Sequence, residues 1–183
     1  MTHDITTIAR RIRLLVLDVD GVLTDGRVHY SGEHEEMKSF SILDGLGIKL
    51  LRRSGIQVAI ITARRSVAVE RRVRELGIDH CVQGREDKLQ ALDELLVQTG
   101  LSLPETAYMG DDLPDLAAIM AVGLGMTVAN ASSEVAARAA WRSRARGGEG
   151  AVREACEMLL RERGQWQDII QTYLGSSTGA GVR

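Results

Sequence analysis

The sequence is short of aromatic residues and of net charge, and each shortage argues against a class of partner. Phe, Trp and Tyr make up only 3% of the 183 residues, which is too few for the stacking platform of a protein that binds single-stranded nucleic acid. The formal charge is −2, from 23 basic and 25 acidic residues. A chain so nearly neutral lacks the positive field that attracts nucleic acid or an anionic membrane, so neither is expected as a partner.

Cysteine and long apolar runs are also scarce. The two cysteines, Cys81 and Cys156, stand far apart without metal-ligand spacing, and we interpret them as reduced thiols packed as small hydrophobic side chains. No apolar run approaches the roughly 20 residues that span a bilayer, and the first residues show no signal-peptide pattern. These features predict a cytoplasmic protein without a membrane segment.

The composition is that of one globular domain. With 44% hydrophobic and 26% charged residues, a chain of this length buries roughly 70% of its unfolded surface and needs no disulfide or metal to fold. We predict one domain over residues 1–174. The small and polar residues at 175–183 are expected to form a disordered tail.

Short apolar runs alternate with helical patterns along the chain. The runs predict strands at residues 13–17, 57–61, 80–82, 107–109 and 122–128. The helical patterns predict helices at residues 45–53, 66–76, 86–98, 114–120, 150–163 and 166–173. This alternation predicts an α/β fold, a Rossmann-like parallel sheet with helices on both faces. A β-hairpin at about residues 26–40 is predicted as an insertion after the first strand.

Paired carboxylates follow the first predicted strand. Asp18 and Asp20 are spaced i and i+2, so they point the same way from an extended chain. Open parallel sheets bind ligands at the carboxyl ends of their strands, and two like charges held together there require a cation or a shared proton. The alternative from these residues alone is a turn with capping aspartates.

A second acidic cluster follows the strand predicted at residues 107–109. It holds Asp111, Asp112 and Asp115 directly after Gly110. A helix N-cap with an acidic first turn is the simpler interpretation, but one aspartate would be enough for that role. Carboxylates at the ends of two strands would form an oxygen site suited to Mg²⁺.

Two further residues suit the binding of an anion near these carboxylates. Thr62 ends a third predicted strand, where its hydroxyl can donate to a phosphate oxygen or close a local turn. Lys88 opens a predicted helix, where a cation is unfavourable for the helix dipole unless it pairs with a local anion. For each residue alone, a purely structural role is the alternative.

Taken in order, these motifs resemble those of the haloacid dehalogenase-like (HAD) phosphotransferase superfamily. The motifs are Asp18-x-Asp20, Thr62, Lys88 and Gly110-Asp111-Asp112-x-x-Asp115. The resemblance implies that Asp18 is a nucleophile forming an aspartyl-phosphate, and that Asp20 is first a general acid and then a general base. It implies that Thr62 and Lys88 hold the transferring phosphoryl group. It also implies Mg²⁺ bound by Asp18, by the main-chain carbonyl of Asp20 and by Asp111, with Asp112 nearby.

A phospho-receiver domain of a signalling pathway is the alternative from another class. It too combines clustered aspartates, Mg²⁺, a Thr and a Lys, but it stores a phosphate instead of turning it over. The order of the motifs argues against it, because the middle strand ends here in Thr62 and the second acidic cluster comes late in the chain.

The spacing of the motifs leaves no room for a cap domain. The gap between Asp18 and Thr62 holds only the hairpin and one predicted helix, and the gap between Lys88 and Asp111 holds one helix and one strand. A site without a cap is open to water, whereas a small substrate needs enclosure for positioning. Either the substrate is a macromolecule or another subunit supplies the lid.

Over residues 10–165 the sequence is similar to the 3-deoxy-D-manno-octulosonate 8-phosphate (KDO 8-phosphate) phosphatases. The matching stretches lie within residues 14–26, 38–48, 60–64, 83–88, 108–112 and 147–154. The resemblance implies a cytoplasmic hydrolase of phosphoric monoesters that releases KDO for lipopolysaccharide synthesis. It also implies a homotetramer in which the hairpins pack together and neighbouring subunits close each site, with the segment 147–154 as a candidate for that closure.

The same resemblance implies a set of substrate-binding residues. They are Asp20, Ser41, Ile42, Leu43, Asp44, Gly45, Lys49, Arg64, Arg72 and Lys88. Where the family often has basic residues for the sugar acid, this chain has Leu43 and Lys49, and Leu43 cannot pair with a carboxylate. The alternative is a phosphatase of nonulosonate (sialic-acid-like) 9-phosphates, a close relative that shares Gly147-Gly-Glu-Gly150. For Arg72 a solvated basic helix face is the alternative to an anion contact.

Overall fold

The computed structural model of the protein describes residues 5–31 and 35–175. The tip of the predicted hairpin, residues 32–34, lies outside the described residues. So does the predicted tail, apart from Gly175. None of the helices within the described ranges is long and apolar enough to cross a membrane.

Six parallel strands form the central sheet, and two antiparallel strands form a separate hairpin. The strands are β1 (Leu14–Leu17), β2 (His29–Ser31), β3 (Glu35–Met37), β4 (Gln57–Thr62), β5 (His80–Gln83), β6 (Thr106–Gly110), β7 (Leu124–Thr127) and β8 (Trp141–Arg142). The sheet order is β5-β4-β1-β6-β7-β8, and β2 pairs with β3. The predicted parallel sheet is confirmed, and β8 is an edge strand that the sequence patterns did not predict.

Helices cover both faces of the sheet. They are α1 (Ile5–Ala9), α2 (Ile42–Arg53), α3 (Val67–Leu76), α4 (Lys88–Thr99), α5 (Leu116–Ala121), α6 (Ser133–Ala136), α7 (Ala151–Glu162) and α8 (Trp166–Tyr173). Short 3₁₀ turns occupy Leu103–Glu105 and Leu113–Asp115. The described residues between the predicted catalytic motifs contain only these elements, so they include no cap domain.

Three predicted helix starts were wrong, and one of them is that of the helix predicted at 86–98, which begins at Lys88. The helix predicted at 45–53 begins at Ile42, because the Ser41 hydroxyl accepts hydrogen bonds from the backbone N–H groups of Leu43 and Asp44 and caps the helix earlier. The helix predicted at 114–120 begins as a 3₁₀ turn around Pro114 and becomes α-helical only at Leu116.

Strand β1 shows why its residues form a central strand. All four of its side chains are fully buried, as expected of a strand covered on both faces. Leu15 and Leu17 pack into the core formed with α2 and α7, whereas Leu14 and Val16 pack into the core formed with α4 and α5. The alternation of side chains along the strand therefore joins two apolar layers.

The hairpin of β2 and β3 stands apart from the central sheet. Its strands pair His29 with Met37 and Tyr30 with Glu36. The side chains of Tyr30 and Met37 are 76% and 61% exposed. A two-stranded hairpin with apolar groups in water is marginally stable by itself, which makes these residues candidates for a contact with another molecule.

Candidate active site

The strand order brings the predicted catalytic motifs to one edge of the sheet. Strand β1 lies between β4 and β6, and all three run parallel, so their carboxyl ends meet at the same edge. Asp18 follows β1 and donates its N–H to the carbonyl of Met109 on β6 at 3.0 Å. Thr62 ends β4 and is buried.

A buried ion cluster forms the centre of this edge. The Lys88 ammonium lies 2.9 Å from Asp18 Oδ1 and 2.6 Å from Asp115 Oδ1. All three side chains are at most 7% exposed. Lys88, at the start of α4, therefore pairs with two local anions. These ion pairs offset the unfavourable interaction of a cation with the positive end of the helix dipole.

Asp115 organises this cluster, a role that the sequence patterns did not predict. Its Oδ1 accepts hydrogen bonds from Lys88 and from the hydroxyl of Tyr108 at 2.8 Å. Its Oδ2 accepts from the backbone N–H groups of Asp111 and Asp112 at 3.2 and 3.4 Å. Because both oxygens are engaged, Asp115 holds the loop after β6 and orients Lys88. Asp112 and Asp115 have the three-residue spacing of a capping box, and this spacing could have indicated from the sequence that Asp115 caps the turn after β6.

The carboxylates of the cluster carry more negative charge than Lys88 balances. Burial and the nearby charge of Asp115 raise the pKa of Asp18 to about 7, although Lys88 acts in the opposite direction. The same two causes raise the pKa of Asp111 to about 7. Burial would lower the pKa of Lys88, but the charges of Asp18 and Asp115 raise it overall. Without a further cation, the site therefore favours uptake of protons.

The donor set fits Mg²⁺. Carboxylate oxygens of Asp18, Asp111 and Asp115 all lie within 4.8 Å of one another, and hard oxygen ligands are those that Mg²⁺ prefers. Gly21 leaves room beside Asp111, since a Cβ at that position would lie 2.0 Å from Asp111 Oδ2. Because Asp115 is already fully hydrogen-bonded, Asp18 and Asp111 are the side chains free to bind the ion.

Asp20 lies in a second ion network beside this cluster. Lys38 donates to Asp20 Oδ1 and lies 2.9 Å from Glu36 Oε1. Arg64 donates to Glu36 Oε2 at 2.8 Å and lies 3.9 Å from Asp20 Oδ2. The structure therefore brings the predicted residues Asp20 and Arg64 together. Lys38 and Glu36 join them, and of these two only Lys38 lies in a stretch that matches the phosphatase family, residues 38–48.

The loop after β1 is closed by the glycine-rich segment that precedes α7. A Cβ on Gly147 would lie 1.7 Å from the carbonyl oxygen of Gly21, so only glycine permits this contact. The N–H of Gly148 donates to the carbonyl of Val22 at 2.9 Å. In the described part of the chain, Gly147 and Gly148 therefore support the catalytic loop of their own subunit.

The first turn of α2 and the residue before it line an open groove. Ser41, Ile42 and Leu43 form one wall, and Gly148 and Glu149 form part of the other. Ile42 and Leu43 are 82% and 54% exposed. These predicted substrate-binding residues thus lie beside the glycine-rich segment that supports the loop after β1.

Asp44 points into the protein instead. It is only 1% exposed, and its Oδ1 accepts the N–H of Arg153 at 2.8 Å. Burial raises the pKa of this carboxyl, partly offset by N–H groups in the first turn of α7. The Asp44 carboxylate caps α7 and links it to α2, so we do not carry it forward as a substrate ligand.

Two other predicted substrate residues have different surroundings. Arg72 donates to the carbonyl of Ser41 at 3.0 Å and lies over the ring of Phe40, so it is not a solvated side chain. A Cβ on Gly45 would lie 2.4 Å from Arg72 Nη2, which explains glycine there. Lys49 is exposed and lines a separate basic groove, which it shares with Arg52, Arg53 and Arg74.

Comparisons with known proteins identify the family of this chain. A model of haloacid dehalogenase-like hydrolases matches residues 84–152. The 3-deoxy-D-manno-octulosonate 8-phosphate phosphatase KdsC of Yersinia pestis is 45% identical over 182 residues, covering 100% of this chain and 93% of that protein. These matches are to hydrolases, and we do not pursue the signalling alternative.

Solved structures agree as well. A probable YrbI family phosphatase from Pseudomonas syringae has a TM-score of 0.91 at 51% identity, covering 92% of this chain and 96% of that chain. The 3-deoxy-D-manno-octulosonate 8-phosphate phosphatase from Moraxella catarrhalis, solved with a magnesium ion, a phosphate ion and KDO, has a TM-score of 0.91 at 44% identity. That match covers 92% of this chain and 97% of the other.

Proposed function

Because this chain belongs to the KDO 8-phosphate phosphatase family of HAD-like hydrolases, we propose that it is a Mg²⁺-dependent enzyme that hydrolyses KDO 8-phosphate to KDO and phosphate. The observation that carries the proposal is the buried cluster of Asp18, Lys88 and Asp115 at the carboxyl edge of the sheet. It combines a carboxylate nucleophile with a cation that would neutralise an incoming phosphate.

The proposed reaction proceeds in two displacements. An oxygen of Asp18 attacks phosphorus, the bond from phosphorus to the sugar oxygen breaks, and Asp20 donates a proton to that oxygen. Asp20 then removes a proton from water, whose oxygen attacks phosphorus and breaks the bond to Asp18. Phosphate leaves, Asp18 is restored as a carboxylate, and Asp20 again carries a proton.

Lys88 and Thr62 would hold the phosphoryl group during both displacements. The Lys88 ammonium contacts Asp18 Oδ1, so a phosphoryl group on Asp18 would lie within its reach. Mg²⁺ would be held by Asp18, by the main-chain carbonyl of Asp20 and by Asp111, and when bound it neutralises charge on the phosphate oxygens. Asp115 would keep Lys88 and the Asp111 loop in place through its four hydrogen bonds.

The sugar acid would lie in the open groove beside the catalytic loop. Ser41, Ile42 and Leu43 line it, with Arg64 near its catalytic end through its contact with Asp20. A nonulosonate 9-phosphate is the second candidate substrate, because phosphatases of these esters share Gly147-Gly-Glu-Gly150. A cytoplasmic location belongs to the proposal, because Cys81 and Cys156 are both free thiols.

A phosphate-release screen tests the substrate. We expect KDO 8-phosphate to give the highest kcat/KM among sugar-acid phosphates, by about tenfold or more over a nonulosonate 9-phosphate, since one mismatched substituent costs about 1–3 kcal/mol of transition-state binding. Steady release over many turnovers would distinguish the enzyme from a receiver domain. A higher kcat/KM for the nonulosonate ester would contradict the assignment of KDO 8-phosphate.

We also propose a homotetramer in which the hairpins pack together. The support is the exposure of Tyr30 and Met37 on a two-stranded hairpin, which gains stability only by packing, and closed symmetry would use every copy alike. Sedimentation should give four chains per particle. Replacing both residues by Asp should dissociate it, whereas Val97→Asp, on the exposed side of α4, should not. A fully active monomer would contradict the proposal.

A further inference from the structure

Lys38 is a buried cation at the base of the hairpin. Its side chain is 0% exposed, and burying an ammonium is costly unless anions compensate for the lost water. Two carboxylates do so, Asp20 through its Oδ1 and Glu36 at 2.9 Å. The cation is therefore committed to these partners and is not available to bind a substrate anion.

Glu36 and Arg64 complete this network. Glu36 contacts Lys38 through one oxygen and Arg64 through the other. Burial would raise the pKa of Glu36, but hydrogen bonds from Arg64 and Lys38 lower it overall, so Glu36 is ionised. These contacts tie β3 of the hairpin to Arg64, just after β4, and to Asp20, in the loop after β1.

The network anchors Asp20 by one oxygen and leaves the other free. Oδ1 accepts from Lys38, whereas Arg64 lies 3.9 Å from Oδ2, beyond hydrogen-bond range. Among residues 5–31 and 35–175, no hydrogen bond to Oδ2 is formed. A general acid must hold one oxygen within hydrogen-bond reach of the leaving group, and an anchored Oδ1 fixes the direction in which Oδ2 points.

We propose that Lys38 is a positioning residue that holds Asp20 in the orientation required for proton transfer to the leaving alcohol. The proposal rests on the general acid–base role of Asp20 in the proposed function. Lys38 acts only through Asp20 and touches neither the substrate nor the metal. The inserted hairpin therefore contributes to catalysis as well as to assembly.

The test compares two leaving groups. KDO 8-phosphate releases an alkyl alcohol that needs a proton, whereas p-nitrophenyl phosphate releases a phenolate that does not. Lys38→Met should lower kcat on KDO 8-phosphate by about 100-fold and kcat on p-nitrophenyl phosphate by less than about threefold, because general acid catalysis contributes about 10²–10⁴-fold when the leaving group requires it. Lys38→Arg, which keeps the charge, should restore most of the rate.

A double variant separates positioning from general damage. If Lys38 acts through Asp20, the two residues form one functional unit. The double variant with both Asp20→Asn and Lys38→Met should then have the same kcat on KDO 8-phosphate as Asp20→Asn alone. Arg11→Met removes an exposed cation elsewhere and is the matched control, expected to keep wild-type rates. Unfolding curves for each variant report whether the fold is retained.

Three results would overturn the inference. The first is an equal loss of kcat on both substrates for Lys38→Met. The second is a double variant whose loss of kcat is the product of the two single losses. The third is a Lys38→Met protein whose kcat on KDO 8-phosphate is unchanged. If Lys38→Met does not fold, Lys38→Gln takes its place, because Gln keeps a hydrogen-bond donor without the charge. The same comparison of kcat on KDO 8-phosphate and on p-nitrophenyl phosphate then applies. If Asp20→Asn itself shows no leaving-group dependence, the proposed role of Asp20 fails first. Wild-type protein inactive on KDO 8-phosphate would instead contradict the proposed function.

Discussion

Replacing Asp18 by Asn is expected to give a folded protein with essentially no phosphatase activity. An amide is a poor nucleophile and a weaker ligand for Mg²⁺, so both the attack on phosphorus and the metal site are impaired. We expect kcat to fall on the order of 10⁴-fold or more, the scale of loss of a catalytic nucleophile. Phosphate release from KDO 8-phosphate measures the loss, and an unfolding curve confirms that the fold is intact.

The fold should survive because the substitution removes a buried negative charge. Lys88 keeps Asp115 at 2.6 Å, so it does not become an unpaired buried cation. Asp93→Asn, on the exposed face of α4, is the matched control and should retain normal turnover. A well-folded Asp18→Asn protein with near-normal phosphate release would disprove the assignment of Asp18 as nucleophile.

Removal of Mg²⁺ is expected to abolish activity reversibly. The site offers only oxygen ligands, and its buried carboxylates repel a phosphate ester unless a cation neutralises them. Exhaustive chelation should therefore lower phosphate release to background, and added Mg²⁺ should restore it. Dialysis without chelator serves as the control. Full turnover by chelated protein would show that the cluster works without a divalent cation.

The same carboxylates should make the stability of the metal-free protein depend on pH. In the folded chain the pKa values of Asp18 and Asp111 are raised to about 7 by burial and by the charge of Asp115, whereas an unfolded Asp titrates near 3.9. Between these values the folded state holds more protons than the unfolded state. The stabilising contribution is thus complete below about pH 4 and is lost as the pH rises through about 7.

Calorimetry on chelated protein between pH 5 and 8 measures this effect. We expect the Tm to fall with rising pH by on the order of 5 °C, which corresponds to a loss of a few kcal/mol for a chain of this size. Asp18→Asn removes one of the two titrating groups, so its Tm should fall less over the same range. Saturating Mg²⁺ should flatten the wild-type curve, because the ion replaces the protons. Identical pH profiles for wild type and Asp18→Asn would contradict the assigned cause.

The sequence alone was sufficient for five of the six strands of the sheet, all except β8, and for the expected place of the site. The apolar runs of β1 and β4 form strands that are buried on both faces, and a continuous apolar run predicts such a strand from the sequence alone. Asp18, Thr62 and Asp111 could be placed at one edge because each follows a strand, and parallel strands expose the same end. The start of α2 was misjudged by three residues, because the cap at Ser41 is a local hydrogen bond and leaves no periodic signal.

Contacts between distant segments were decided only by the tertiary structure. Asp115 binds Lys88 across 27 residues, Lys38 reaches Asp20 across 18, and Asp44 caps a helix 109 residues away. Each side chain alone is compatible with a solvated surface, and only the packed fold supplies its partner. The chain therefore encodes by local pattern which groups reach the edge of the sheet. Long-range packing decides which oxygen of each carboxyl group is left free, because a buried charge must pair with a group that the fold places beside it.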